Sequence, residues 1–168
     1  MGRMSHAQAP QSFGRVDDDG TVYVRTSDGE RSVGQVPDST SEEALEFFVR
    51  RYRALETEVS LLESRVSSGT ASPEEARSAA SKLVTSIREA NAVGDLESLA
   101  ARVEALTPTI DAKAETRREE RAEAKARAKQ AKEEMVAQAE AIAAGSDWRG
   151  GIGKFRDLLD QWLSLIHI

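Results

Sequence analysis

The segment that most limits how this chain can fold is a long stretch rich in Ala and charged residues, which follows Pro108 and ends before Gly145. Its middle, residues 111–134, holds eight basic and seven acidic residues, with Ala at most of the other positions. Helical propensity and local charge pairs such as Glu123 with Arg127 favour a helix there, although no apolar face is available for burial. The sequence therefore predicts a long charged single helix over 108–145, about 55 Å in length at 1.5 Å per residue.

Residues 38–107 predict an antiparallel helical hairpin that ends in a short third helix. In the first two helices, apolar residues alternate at spacings of three and four, a pattern typical of a helix that packs against a partner helix. These residues are Leu45, Phe48, Tyr52, Leu55, Val59, Leu62 and Val66 in the first helix, and Ala76, Ala80, Leu83, Ile87 and Ala90 in the second. Thr40 and Glu43 predict a capping box before the first helix, Gly69 is expected to end it, and Gly94 is expected to end the second.

Upstream of the hairpin, residues 12–37 predict a small three-stranded antiparallel sheet, preceded by a disordered leader over 1–11. Short apolar runs alternate with two Asp-Gly dipeptides, which favour tight hairpin turns. Such a sheet is too small to be stable alone. We therefore expect one of its faces, carrying either Val22 and Val24 or Tyr23, to pack on the first helix.

The residue types that most catalytic and metal sites need are missing or widely separated. The chain has no Cys, and its two His residues, His6 and His167, lie at opposite ends. Residues 17–20 lack the alternating ligands of a calcium loop, and residues 150–154 lack the spacing and the Ser or Thr of a phosphate loop. The sequence thus predicts no enzyme, no catalytic residue, no cofactor, no metal site and no small-molecule substrate.

The long charged helix nevertheless carries a basic stripe at helical spacing. Its members are Arg117, Arg121, Lys125, Lys129 and Lys132. Residues 117–132 contain seven basic and three acidic residues, enough for several phosphate contacts with nucleic acid. The alternative is a solvated helix face, which is favoured by the lack of stacking aromatic residues in this segment and by the nearby Glu119 and Glu123.

A last amphipathic helix is predicted within residues 146–162, with Ser146-Asp147 as its cap. Its apolar residues recur at spacings of four and three: Trp148, Ile152, Phe155, Leu159 and Trp162. Two tryptophans at such spacing are more often core residues than a ligand cage. The long helix offers them only Met135, Val136 and Ile142, so Trp148, Phe155, Leu159 and Trp162 are expected to form a partly exposed interaction stripe.

The sequence AIAAGSDWRGGIGKFRDLLDQW, residues 141–162, resembles the start of a repeat of the bacterial family called domain of unknown function 349 (DUF349). The resemblance implies tandem helical repeats, in which Trp148 and Trp162 match the family's two Trp positions, and it implies no reaction, cofactor or substrate. FGRVDDDGTVYV and ANAVGDL resemble the amino-terminal region of actinobacterial members. Because members continue through further repeats, the chain is expected to be an amino-terminal fragment whose repeat is truncated.

The last six residues, 163–168, are apolar where such repeats usually turn polar and Lys-rich. LSLIHI is also the translation of CTGTCTCTTATACACATC, which resembles the end of a transposon used to prepare sequencing libraries. We therefore expect these residues to be a sequencing-adapter artefact, with an ordinary apolar helix end as the alternative.

Taken together, the patterns predict a mainly α, non-enzymatic helical scaffold or macromolecular interaction protein. Its expected partners are another protein or further repeats of the same chain. The alternative function is RNA or DNA binding through the basic stripe. No segment reaches the roughly 18 apolar residues of a membrane span, and the amino terminus lacks the apolar centre of a secretory signal, so a cytoplasmic protein without membrane contact is expected.

Overall fold

A computed structural model of the protein describes residues 8–145 and 148–167. Its elements in chain order are a 3-10 turn Pro10–Phe13, β1 Gly14–Val16, β2 Thr21–Thr26, β3 Gly29–Gln35, α1 Ser41–Ser68, α2 Pro73–Glu89, α3 Leu96–Glu104, α4 Thr107–Ala144 and α5 Trp148–Ile166. This mainly α fold with one small antiparallel sheet confirms the predicted class. The chain divides into two compact units, Met1–Ala114 (unit 1) and Glu115–Ile168 (unit 2).

Three parts of the sequence-based predictions lie outside the described residues. They are residues 1–7 of the predicted leader, Ser146-Asp147 at the predicted helix cap, and Ile168 at the end of the predicted artefact. One neighbouring segment differs from expectation, because the first element begins at Pro10, inside the predicted 1–11 leader. At the other end, α5 continues through Leu163 to Ile166, and the artefact origin of residues 163–168 stays a prediction.

The sheet of unit 1 rests on α1 through one face. Its strands pair in the order β1-β2-β3, and Gly20 and Gly29 adopt φ values of 81° and 115° in the two turns, as the Asp-Gly dipeptides predicted. Val22 and Val24 are fully buried and belong to the core. The sheet therefore packs on α1 through the face of Val22 and Val24 and not through the face of Tyr23. A Cβ placed on Gly34 of β3 would lie 2.6 Å from Cζ of Phe48, so the strand approaches the α1 aromatic ring as closely as a glycine allows.

The start and the end of α1 follow the predicted capping chemistry, and α2 begins with a second box. Thr40 with Glu43, and Ser72 with Glu75, each form a complete capping box, and Gly69 ends α1 in a left-handed conformation with φ 73°. Residues 69–72 then connect α1 to α2, and both helices contribute to one core. Apart from Leu45, Leu55 and Ala90, the periodic apolar residues predicted for the two helices are buried. Leu55 is only half-buried.

The predicted end of α2 is wrong by four residues, since the C-cap is Ala90 and not Gly94. The helix stops at Glu89, and Ala90 is an extended C-cap rather than part of the seam. The chain turns there because the Val93 N–H donates a hydrogen bond of 3.1 Å to the Phe48 carbonyl, which holds the segment against α1. The Arg31 guanidinium also donates to the Ala90 carbonyl, at 2.6 Å, so β3 satisfies an orphan carbonyl of the helix end.

Unit 1 is completed by α3 and the first turns of α4. Arg102 of α3 forms a two-point ion pair with Glu63 of α1, with N–O distances of 2.7 and 3.1 Å. Ile110 of α4 is buried in the same core, and the Lys113 ammonium donates to the Val66 carbonyl near the end of α1. In the described part of the chain, we find no helix that is both long enough and apolar enough to cross a lipid bilayer.

Candidate interaction surface

The two helices of unit 2 lie side by side and run in opposite directions. Gly151 at the start of α5 lies beside Ile142 near the end of α4, and Trp162 at the other end of α5 lies beside Lys132. Among the described residues of unit 2, the apolar side chains that are buried or half-buried are Ala128, Ala131, Met135, Ala139 and Ile142 on α4, and Leu158, Trp162 and Leu165 on α5. The return of α5 along α4 therefore gives unit 2 one shared, thin apolar layer.

Most of the predicted interaction stripe on α5 points away from that layer. Trp148 is 81% exposed and Leu159 is 57% exposed. The full exposed set, called here the α5 outer stripe, is Trp148, Ile152, Phe155, Leu159, Leu163 and Ile166. Six large apolar side chains on a 19-residue helix form a patch of the kind that marks interaction sites.

Trp162 does not belong to the α5 outer stripe, which corrects the predicted set of four. It is half-buried, and the Lys132 ammonium lies 5.7 Å from the centroid of its ring. Trp162 follows Leu158 by four residues, so both side chains lie on the side of α5 that faces α4. Sequence periodicity missed this division because α5 has two adjacent apolar sides.

The basic stripe of α4 is largely solvated. Arg117, Arg121, Lys125 and Lys129 are exposed, whereas Lys132 is half-buried beside Trp162. The expected pair of Glu123 with Arg127 is not among the ion pairs of the described residues. The pairs on this part of α4 are Glu115 with Arg118 at 3.8 Å and Lys129 with Glu133 at 3.9 Å. Such exposed ion pairs contribute little to stability. The helix propensity of the residues is therefore the main local factor that stabilises this part of α4.

A second surface of unit 2, on α4, was not anticipated from the sequence. The α4 outer stripe repeats at spacings of four and three and consists of Ala122, Ala126, Lys129, Glu133, Val136, Glu140 and Ala143. All seven are exposed, and the first six line one shallow groove with Lys125 and Lys132 at its edge. Val136 thus faces solvent, although it was expected to meet α5. The spacing of these residues is heptad-like, as in a helix that contacts a partner. Ala has little apolar area and also favours a helix, so the spacing did not show whether these residues form a contact surface.

The two outer stripes meet at the carboxyl-terminal end of α4. Ala143 from the end of the α4 outer stripe lines one groove together with Trp148, Ile152 and Phe155 of the α5 outer stripe. Gln138 of α4 and Gln161 of α5 instead line a groove on the opposite edge. One side of unit 2 is therefore a two-helix surface with apolar residues on both helices, and it is named here the unit 2 face.

Two segments considered for ligand chemistry have ordinary structural roles. In residues 17–20, the Asp19 carboxylate accepts a hydrogen bond of 3.0 Å from the Thr21 N–H, which lowers the pKa of Asp19 and fixes the hairpin turn. Residues 150–154 lie within α5 and are helical rather than a loop. Neither segment has the backbone arrangement of the ion or phosphate loop to which it was compared.

Comparison with known families places the resemblance on the carboxyl-terminal part of the chain. Residues 98–168 match a family described as Domain of Unknown Function (DUF349). The match includes α4 and α5, so it agrees with the resemblance seen in residues 141–162. Neither a curated protein nor a solved structure matches the chain.

The different surroundings of the two tryptophans give a first prediction. In a Trp162→Phe variant, the remaining Trp148 is expected to emit near the wavelength of free indole and to be quenched freely by acrylamide, because it is 81% exposed. In a Trp148→Phe variant, Trp162 should emit further to the blue and be quenched less. Equal emission and quenching in the two variants would contradict the inward position of Trp162.

Proposed function

We propose that this protein is a non-enzymatic interaction protein that binds a macromolecular partner through the unit 2 face. One observation carries the proposal: four large apolar side chains of α5 that precede residue 163, namely Trp148, Ile152, Phe155 and Leu159, are exposed together on one side of the helix. Exposing them costs solubility and gains nothing for the fold of unit 2, whereas a partner would remove them from water. The partner class is a protein surface or another helical repeat, since both can offer a complementary apolar helix side.

The proposal extends to the setting of the protein. We take the amino-terminal resemblance to actinobacterial members of the family as a guide to relatives of unit 1, and the cytoplasm as the compartment in which the partner is met. The first rests on the sequence patterns of residues 13–24 and 90–96.

A pair of matched variants tests the docking surface. Ile152→Asp with Leu159→Asp introduces two charges on the α5 outer stripe, seven residues apart, and should reduce the yield of partners cross-linked to the purified chain at least about tenfold. Lys154→Asp with Gln161→Asp changes two exposed residues of the same helix at the same spacing, on the opposite edge, and should leave the yield unchanged. Equal loss in both variants, or turnover of a nucleotide or ester by the purified chain, would contradict the proposal.

The second candidate function is RNA or DNA binding by α4. The observation that favours it is that, within residues 8–145 and 148–167, Arg117, Arg121 and Lys125 are exposed and form no ion pair. Four-residue steps advance about 6 Å along the helix and rotate by about 40°, so these cations form a slowly turning line that could follow a phosphate backbone.

Filter binding across a salt series separates the two functions. For the nucleic-acid function, affinity should fall steeply with salt and should be lost when Arg117, Arg121, Lys125 and Lys129 are changed to Glu. If only the docking function holds, no nucleic acid is retained through these four residues, and the Ile152 and Leu159 changes affect only the cross-linking yield. Weak binding with no dependence on the four basic residues would exclude the second function.

A further inference from the structure

We propose that the unit 2 face binds a second copy of the same chain, with the two α4 helices running antiparallel. The inference rests on the proposed function and names the partner of that surface. It is carried by a self-complementary arrangement of charge along α4. Within the helix, residues 117–132 hold seven basic and three acidic residues, whereas residues 133–144 hold three acidic residues and no basic one.

The charged residues beside the groove have matching spacings. Lys125 and Lys132 are seven residues apart, and so are Glu133 and Glu140. In an antiparallel pair whose two-fold axis passes between residues 132 and 133, Lys125 lies opposite Glu140 of the second copy and Lys132 lies opposite its Glu133. Because the contact is two-fold symmetric, each of these pairs occurs twice. A parallel pair in register would instead set all four residues against their own copies, whereas in the antiparallel register only Lys132 and Glu133, which lie next to the axis, are also near their own copies.

The same register also brings the apolar residues together. Ala122 lies opposite Ala143 of the second copy, so small side chains at both ends allow the helices to approach closely. Trp148, Ile152 and Phe155 lie beside residues 142–143 of their own α4. They therefore reach the level of Ala122 and Ala126 of the second copy, where the alanine part of the groove provides space for large side chains.

The size of the surface suits a symmetric pair of helical hairpins. The α4 outer stripe spans 22 residues, or about 33 Å. With two helices 8–10 Å apart, the unit 2 face measures roughly 600 Å² in projection, and its accessible area is larger because the side chains protrude. A standard interface buries about 800 Å² per partner. Two such layers stacked face to face form a four-helix arrangement that covers both outer stripes.

Sedimentation of the full chain with charge-reversal variants tests the pairing. Lys125→Glu with Lys132→Glu, and separately Glu133→Lys with Glu140→Lys, should each raise the dimer Kd at least about tenfold at low salt. An equimolar mixture of the two variants should form a dimer again, as should a chain that carries all four changes. Lys125, Glu133 and Glu140 are exposed, whereas Lys132 is half-buried beside Trp162, so circular dichroism is used to verify that each variant remains helical.

Cysteine cross-linking determines the direction of the helices. The chain has no Cys, so introduced thiols are the only ones present. The double variant Ala122→Cys with Ala143→Cys should give a disulfide-linked dimer, whereas each single variant should not, because identical positions would be about 32 Å apart along the helix axis. Disulfide-linked dimers from the single variants would indicate a parallel pair and overturn the inference.

Other outcomes also decide the inference and separate it from the proposed function. Self-association would be overturned if the chain stays monomeric at tens of micromolar. It would also be overturned if no charge reversal changes the dimer Kd, or if the dimer disappears after nuclease treatment. If the monomeric chain still captures partners through Ile152 and Leu159, the docking function stands and only the second copy is excluded. If neither association nor capture depends on these residues, both proposals fail.

Discussion

Replacing Ile87 with Ala is expected to lower the free energy of unfolding of unit 1 by about 2–5 kcal/mol. Ile87 has no exposed surface and lies in the core formed by the sheet, α1, α2 and α3. The change removes buried methyl and methylene groups and leaves a cavity that the surrounding helices fill only partly. Since small domains are stable by only about 5–15 kcal/mol, this single change removes a large share of that stability.

Urea unfolding followed by circular dichroism measures the effect of the Ile87 change. Leu61→Ala provides the matched control, because Leu61 is a large apolar residue of the same unit but is 60% exposed. Its loss should be within about 0.5 kcal/mol of zero. Similar losses for Ile87→Ala and Leu61→Ala would contradict the core described here.

Gly94→Ala is expected to destabilise unit 1 by about 1–3 kcal/mol through overpacking. A Cβ at this position would lie 2.3 Å from two carbon atoms of the Tyr52 ring. The backbone cannot easily withdraw, because the adjacent Val93 N–H is hydrogen-bonded to the Phe48 carbonyl of α1. The ring cannot easily move either, because Tyr52 is only 7% exposed.

A double-mutant cycle tests this explanation of the Gly94 change. In a Tyr52→Ala background the added methyl group has space, so the cost of Gly94→Ala should fall towards zero. Gly153→Ala is a control of opposite sign, since Gly153 is an exposed helical residue of α5 with no neighbour within 4 Å of an added Cβ. It should stabilise its helix by about 0.5–1 kcal/mol. An equal cost of Gly94→Ala in both Tyr52 backgrounds would point to a cause other than the ring.

The parts of the fold that sequence patterns predicted are those fixed by neighbours in the chain. Thr40 finds Glu43 three residues later, Gly20 supplies the left-handed conformation of a turn, and Gly69 does so at a helix end. The end of α2 depends instead on distant groups. Ala90 lies outside the helix because Arg31 and Phe48 form hydrogen bonds with residues 90–93. Neither contact can be predicted from the residues next to Ala90 in the sequence.

The candidate surface shows the same distinction. The periodicity of α5 correctly predicts an apolar, partly exposed helix, but it groups Trp162 with Trp148, which the structure separates. A helix with two adjacent apolar sides does not itself specify which side is covered, since the choice depends on the position of α4. On α4, alanines that favour a helix also line the groove. The Ala content of the segment therefore predicts the helix but does not indicate the groove.

The hydrogen bond from Val93 to Phe48 lies outside any helix or strand, at a residue with no exposed surface. An amide in this position can exchange its proton with solvent only after residues 90–94 separate from α1. Fraying of a helix end or a sheet edge would not release it. The exchange rate of this one amide therefore reports the free energy needed to separate residues 90–94 from α1, measured under native conditions without denaturant.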